Sequence, residues 1–391
     1  MPDSHGSATS SGKGRAAVSL ALAYGALFTG PGFYLPFFPV FLASAGLSAE
    51  VISFIIGIPM GVRLAANPVA GILSDRIGRP RRFLMMLGTC AAVTFMAMAL
   101  FPGQTALIAL VALSTVFWGP MFPLTDAFAV RLARERGIDY GRARLWGSIA
   151  FIAANLSLGA ALEVLAVQSV VWFIAASLAG YAIAVISMPH LEQPSLAERA
   201  SAPKLHPRVV TGVIACAFVQ SSHALLYTFA SVHWGAQGIS STMIGFLWGV
   251  GVAAEVAVFY FGTAALKRFS AIGLILIGGV SSVIRFGLTA LDPPQALLIP
   301  LMMLHAFTFA ATYLGMVAIA GTSAGAGAQG RAQTFTSTAI SIAMLLATLA
   351  AGPMYARFGA YAYFGSAVLA LIGCFVALAA LRQPQTSGDG G

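Results

Sequence analysis

Ionisable side chains are scarce inside the long apolar runs of this chain, and each one present asks for a partner or a task. Carrying such a group into hydrocarbon costs about 2.5–3.5 kcal/mol on insertion scales. Arg63 lies about midway along an apolar run, too far from either end to reach water along its own stem. An offset of 192 residues carries Arg63 onto Glu255, so the two halves place opposite charges at matching depth. One reading makes Arg63 an anion-binding group and Glu255 a proton carrier facing a central cavity; the other makes each a structural ion with its own partner. Asp126 precedes Arg134 by eight residues, and Arg144 enters the next apolar run from the same side. Asp126 therefore pairs with Arg144 or with Arg79, as a proton carrier or as the strut of a gate. Gln220, His223 and Tyr227 fall at i, i+3 and i+7, on one face of a helix. Histidine titrates near neutral pH and can relay a proton, although a membrane histidine also serves as a hydrogen-bonded packing residue; His305 carries the same two readings. His233, beside Trp234, reads as an interfacial belt residue, Arg285 as structural, and Asn67 and Asn155 as hydrogen bonds between helices. The coupling ion this set suits is the proton, with no cofactor and no metal.

The elements that must hold these groups are membrane helices. Of 391 residues, 59% are hydrophobic and 8% charged, with a mean hydropathy of +0.87, against about a quarter charged in soluble domains. Apolar runs recur at roughly 20 residues, the length that crosses about 30 Å of hydrocarbon as helix; the ten-residue alternation of a β-barrel is absent. Breaking the chain at charges and turn residues predicts twelve transmembrane helices: 17–43, 51–73, 83–100, 105–132, 145–165, 169–188, 209–234, 243–266, 272–291, 296–320, 334–355 and 361–381. They group as two six-helix bundles, 16–189 and 208–382, joined by a cytoplasmic loop at 190–207 and flanked by tails at 1–15 and 383–391, the first reading as disordered. Eighteen of the 21 Lys and Arg residues fall on one side of this layout and only Arg357 on the other, which puts both termini in the cytoplasm of a cell (inner) membrane. The net charge of +9 is accounted for by these flanks rather than by a nucleic-acid surface. Cys90, Cys216 and Cys374 are widely spaced in apolar runs and suit packing rather than disulfides or a metal. Neither a P-loop nor a His-Glu-x-x-His pair is present, and an enzyme is not expected.

A second feature is repetition. Gly46-Leu47-Ser48-Ala49-Glu50-Val51-Ile52-Ser53-Phe54-Ile55-Ile56-Gly57 aligns without gaps to Gly238-Ile239-Ser240-Ser241-Thr242-Met243-Ile244-Gly245-Phe246-Leu247-Trp248-Gly249 at the same offset of 192, almost half the chain. That places a duplicated six plus six. Between the second and third runs stands a burst of charge, Gly71-x-x-x-Asp75-Arg76-x-Gly78-Arg79-x-Arg81-Arg82, and the offset carries Arg76 onto Arg268 of a reduced copy, Lys267-Arg268.

This charged turn, in this place, resembles the loop motif of the major facilitator superfamily, and the likeness covers the whole chain. Pro123-Leu124-Thr125-Asp126-Ala127, Asp139-Tyr140-Gly141-Arg142-Ala143-Arg144-Leu145-Trp146-Gly147-Ser148, Gln220-Ser221-Ser222-His223-Ala224, Gly249-Val250-Gly251-Val252-Ala253-Ala254-Glu255-Val256 and Leu304-His305-Ala306-Phe307-Thr308-Phe309 resemble the phenylpropionate permease branch. The resemblance implies a major facilitator fold, usually monomeric, that moves a small aromatic acid with protons by alternating access. It implies that helices one, four, seven and ten line the cavity and that the turn acts as a gating loop, with Gly71, Asp75, Arg76, Gly78 and Arg79 as its working residues. Asp75 would meet the start of span eleven near 331–334, and Arg79 would reach Asp126. Antiport export of a drug or metabolite, and uptake of a nucleoside or sugar, use the same kinds of residue and stay open. Tyr24, Phe28 and Tyr34 beside Gly30-Pro31-Gly32, Pro36 and Pro39 offer either a stacking surface or ordinary packing.

Overall fold

The computed structural model describes residues 5–101, 103–191, 205–322 and 329–383. Among them the chain is helical throughout: α1 His5–Ser44, α2 Ala49–Ile77, α3 Pro80–Leu100, α4 Gln104–Arg136, α5 Tyr140–Ala161, α6 Ser169–Ile186, α7 Pro207–Ser221, α8 Ala224–Ala236, α9 Ser241–Tyr260, α10 Gly262–Arg268, α11 Ala271–Ala290, α12 Gln295–Met303, α13 Thr312–Thr322, α14 Gln329–Phe358 and α15 Tyr363–Leu381. A π-helical turn, Ala306–Ala311, joins α12 to α13, and a 3-10 turn, Gly359–Ala362, joins α14 to α15. Among the described residues ten stretches are long and apolar enough to cross a membrane, and bulky apolar side chains face outward along them: Ile183 is 68% exposed and Phe375 63%. Such surface suits lipid, not water.

Each expected span overlaps one of these helices or a broken pair, with three differences. The tail expected to be disordered over 1–15 is helical from His5; no proline stands between Pro2 and Pro31 to end the hydrogen-bond ladder that the apolar run begins. Spans seven, eight and ten are interrupted, at Ser222–His223, at Phe261 and at Leu304–His305. Pro300, which cannot donate to the ladder, precedes the last of these. Most of the loop expected at 190–207, together with residues 384–391, lies outside the described residues.

Contacts divide the chain into two compact units, 1–46 with 62–196 and 240–245, and 47–61 with 197–239 and 246–391. Relative to the expected halves at 16–189 and 208–382, 47–61 groups with the second unit and 240–245 with the first. Glycine contacts explain both. A Cβ on Gly352 of α14 would strike Ser53 and would stand 2.7 Å from the Ala49 carbonyl oxygen, so α2 begins pressed against α14. A Cβ on Gly245 would strike the Asn155 carbonyl, which holds the start of α9 against α5. The exchanged pieces are the aligned repeat. Gly46 and Gly238 both have positive φ, 76° and 83°, and each is followed by a serine that accepts from the backbone three residues on, Ser48 from Val51 at 3.5 Å and Ser240 from Met243 at 3.2 Å.

Within the second unit, Ala215, Cys216, Ile272, Ile275, Met316, Ile319, Ala377 and Ala380 form one buried cluster of α7, α11, α13 and α15. Its small residues let the backbones approach, as membrane helix contacts require. Cys216 and Cys374 are buried and all three cysteines are free, in keeping with packing.

Candidate functional site

In the first unit the expected charges separate into two groups. Asp126 of α4 accepts from the Tyr24 hydroxyl at 2.5 Å and from the Tyr140 hydroxyl at 3.3 Å, and lies 3.8 Å from Arg144 Nε of α5. The Arg144 guanidinium stands 4.2 Å from the centre of the Phe28 ring and 5.4 Å from that of Tyr24. Of the two expected partners, Asp126 takes Arg144; Arg79 forms no ion pair among the described residues. Asp126 and Arg144 are both about two-fifths exposed, so this neutralised pair faces open space.

Arg63 of α2 is the contrast. Among the described residues it forms no ion pair, and its Nε is covered without a hydrogen-bond partner. Three more covered atoms share that condition nearby: Tyr34 OH of α1, Asn67 Oδ1 one turn along α2, and Trp118 Nε1 of α4. Two of these residues meet at Gly119, where a Cβ would lie 2.9 Å from Arg63 Cγ, 3.4 Å from Asn67 Oδ1 and 3.5 Å from Arg63 Nε; Trp118 is the residue before that glycine. The Trp118 ring stands edge-on to Tyr34 at 5.3 Å and to Phe95 at 5.4 Å. Asn67 and Asn155, expected as bonds between helices, do not serve as such: Asn67 Oδ1 and both amide atoms of Asn155 lack partners.

The second unit holds a connected network. Arg285 of α11, expected to stand outside as support, is 1% exposed, and its NH1 lies 3.1 Å from His305 Nδ1 and 3.2 Å from Thr308 Oγ1, with NH2 3.1 Å from Met302 Sδ. His305 Nε2 is 3.7 Å from Glu255 Oε2 of α9. His223 Nε2 is 2.9 Å from Thr308 Oγ1 and its Nδ1 3.1 Å from the Gln220 carbonyl. Donor inventory fixes the protons. A guanidinium only donates, so His305 Nδ1 accepts and the ring proton sits on Nε2, toward Glu255. A carbonyl only accepts, so His223 carries its proton on Nδ1 and, as a neutral ring, accepts the Thr308 hydroxyl proton at Nε2 over 2.9 Å, shorter than the 3.3 Å to the competing His305 carbonyl. Tyr227 stacks on His223 at 5.7 Å and meets His305 edge-on at 6.3 Å. Of the trio Gln220, His223 and Tyr227, the structure brings the His223 and Tyr227 side chains together across a break, and His223 and His305 occupy the interruptions between α7 and α8 and between α12 and the π turn. Such breaks free backbone groups at depth and recur at functional positions. His233, expected as a belt residue, is held by Tyr355 at 3.0 Å and Asp292 at 2.9 Å.

The charged turn closes as the motif demands. Gly78 has φ 66°, a conformation other residues adopt only at a penalty, and Pro80 opens α3, where its missing N–H is no loss. Arg81 donates to the Met188 carbonyl at 2.9 Å, tying the turn to the end of α6. Gly71 ends up on the last turns of α2, with Asp75 and Arg76 exposed beyond it. The side chain of Arg331, one of the groups expected to meet Asp75, lies outside the described residues. No group of His, Cys, Asp and Glu that could hold a metal occurs among the described residues.

Thr308 and Trp118 carry no signal in composition. Thr308 was legible only as the i+3 neighbour of His305, and Trp118 only as the residue before Gly119.

A model of the MFS_1 like family matches residues 17–366. The chain is 28% identical over 367 residues to the probable 3-phenylpropionic acid transporter of Escherichia coli (strain K12), covering 91% of this chain and 96% of that protein. Over 138 residues it is 33% identical to the maltose permease of Geobacillus stearothermophilus, 35% of this chain and 33% of that protein. In structure it is similar to a mutant of the nucleoside transporter NupG, with a TM-score of 0.83 at 14% identity, over 94% of this chain and all of that one. A bacterial homologue of the lysosomal transporter Spinster gives 0.74 at 13%, over 95% and 97%. These two likenesses speak for the fold alone.

Proposed function

As this chain belongs to the MFS_1 like family and is a multi-pass membrane transporter of major facilitator type, not an enzyme, we propose that it takes up a small organic acid, of the aromatic kind named for its Escherichia coli relative, together with protons. The observation that carries the reading is the contrast among its deep charges. Asp126 has Arg144 and Glu255 has His305 beside Arg285, whereas Arg63 has no carboxylate partner among the described residues. An intramembrane guanidinium left without a counter-ion favours an anion arriving from outside the chain. Arg144, already neutralised, suits a gate or an orienting role under the Tyr24 and Phe28 rings.

Glu255 suits the proton. When it is ionised, the Nε2–H of His305 faces it; when it is protonated, that attraction falls away while Arg285 still holds His305 through Nδ1. The side chain thus has two states that its neighbours read differently, which is what a bistable element needs to bias reorientation. In this reading twelve helices in two six-helix bundles rock about a midplane site, both termini lie in the cytoplasm of the inner membrane, and the monomer is the working unit. Export by antiport would use the same groups, and the direction of the coupled gradient separates the two. Proteoliposomes made alkaline inside are expected to accumulate labelled 3-phenylpropionate above protein-free vesicles, and a protonophore to abolish the excess. Accumulation insensitive to the pH gradient contradicts the proposal.

A further inference from the structure

Of the four unpartnered atoms on Arg63, Asn67, Trp118 and Tyr34, three are donors: Arg63 Nε–H, Trp118 Nε1–H and Tyr34 O–H. Buried tryptophan N–H groups ordinarily find an acceptor, and an unsatisfied one asks for an explanation. Trp248 shows the ordinary case, donating to Ser231 Oγ at 2.9 Å. Trp118 is 6% exposed, and rings at 5.3 and 5.4 Å stand against it, so the direction of its N–H is fixed by packing while the bond itself is unspent. Tyr34, stacked on Phe38 at 4.6 Å, is held in the same way.

We propose that Trp118 and Tyr34 are specificity residues that complete a carboxylate site on Arg63, with the aromatic part of the substrate lying against the Tyr34 and Trp118 rings and that of Phe122, 6.5 Å from Trp118. This rests on the reading of Arg63 as the substrate's counter-ion. A carboxylate has two oxygens and about four acceptor sites, enough for all three donors at once. An alcohol or amide offers no negative charge to the guanidinium and fewer acceptor positions. The site therefore selects aryl carboxylates over nucleosides and sugars of similar size. Asn67 Oδ1, an acceptor, has no place in holding the carboxylate.

The test is binding to the purified full chain in detergent, with 3-phenylpropionate, its primary amide and uridine as probes. The unaltered chain is expected to bind the acid at least tenfold more tightly than the amide or uridine. Trp118→Phe and Tyr34→Phe, which keep an aromatic ring and remove the donors, are each expected to weaken acid binding about tenfold, the scale of one charge-assisted hydrogen bond, and to weaken binding of the neutral amide by clearly less. Equal loss for acid and amide, or no loss in either variant, overturns the assignment of the two donors. If Arg63→Gln abolishes acid binding while the two phenylalanine variants do not weaken it, the Arg63 reading stands and this inference fails. If Arg63→Gln leaves acid binding intact, or the unaltered chain prefers uridine, the reading beneath it fails as well. Tyr34→Phe, the mildest change, keeps the test valid should Trp118→Phe prevent folding, and thermal melting of each variant reports which case applies.

Discussion

A single hydroxyl joins the two halves of the buried network in the second unit. Thr308 Oγ1 accepts from Arg285 and donates to His223, so Thr308→Val leaves a guanidinium hydrogen and a ring nitrogen buried without partners. Each such group costs about 1–3 kcal/mol. The variant is expected to melt several degrees below the unaltered protein in the same detergent, with Thr308→Ser retaining most of the stability; equal melting of Thr308→Val would remove the network from the account. Opposite charges at matching depth, Arg63 and Glu255, were visible in the residues themselves because charge inside an apolar run is conspicuous. Their partners were not. Which of two arginines meets Asp126, and that Arg285 turns inward onto His305, depend on helix rotation, which a sparse pattern of polar residues does not determine. Trp118 and Thr308 were hidden for a plainer reason: an indole or a threonine in a membrane helix is compatible with packing, and only the loss or gain of a hydrogen bond distinguishes a working one.

Helices were legible wherever hydrophobic length set them, from α2 and α3 to α6 and α11. The interruptions at His223 and His305 were not, because hydropathy does not report which backbone carbonyl each N–H meets. Pro300 was the local hint for one of them. Close approach is also an element-scale property, and Gly352 shows its force. A side chain there would stand 2.7 Å from the Ala49 carbonyl oxygen and 2.8 Å from Glu50 Cα, both backbone atoms that cannot move aside singly. Gly352→Val is expected to separate α2 from α14 and to lower yield and melting temperature. Gly180→Ala in α6, where a Cβ meets nothing within 4 Å, is expected to be neutral or slightly stabilising, since alanine favours helix by about 1 kcal/mol. Loss of stability in both variants would mean that glycine matters here for reasons other than contact.

At the scale of the whole molecule, the repeat is the organising fact. A gapless match at half the chain length recurs as matched backbone geometry at Gly46 and Gly238, and the two units exchange the pieces that follow those glycines. The charged turn is less symmetric: Asp75 is exposed on the last turn of α2, and the reduced copy at Lys267-Arg268 has no carboxylate beside it. If the turn acts as a gating loop, Asp75→Asn is expected to slow turnover severalfold while substrate affinity, read by binding at equilibrium, stays within twofold. Weakened binding at an unchanged rate would place Asp75 in the substrate site instead.

In the proposed coupling, substrate and proton move together and Glu255 carries the proton. Purified protein in weakly buffered vesicles, given an inward gradient of 3-phenylpropionate and no initial pH gradient, tests this with a pH dye trapped inside. The account calls for internal acidification beyond that of protein-free vesicles, lost in Glu255→Gln. Protein-dependent substrate entry with no accompanying pH change, or acidification that Glu255→Gln leaves intact, would contradict it.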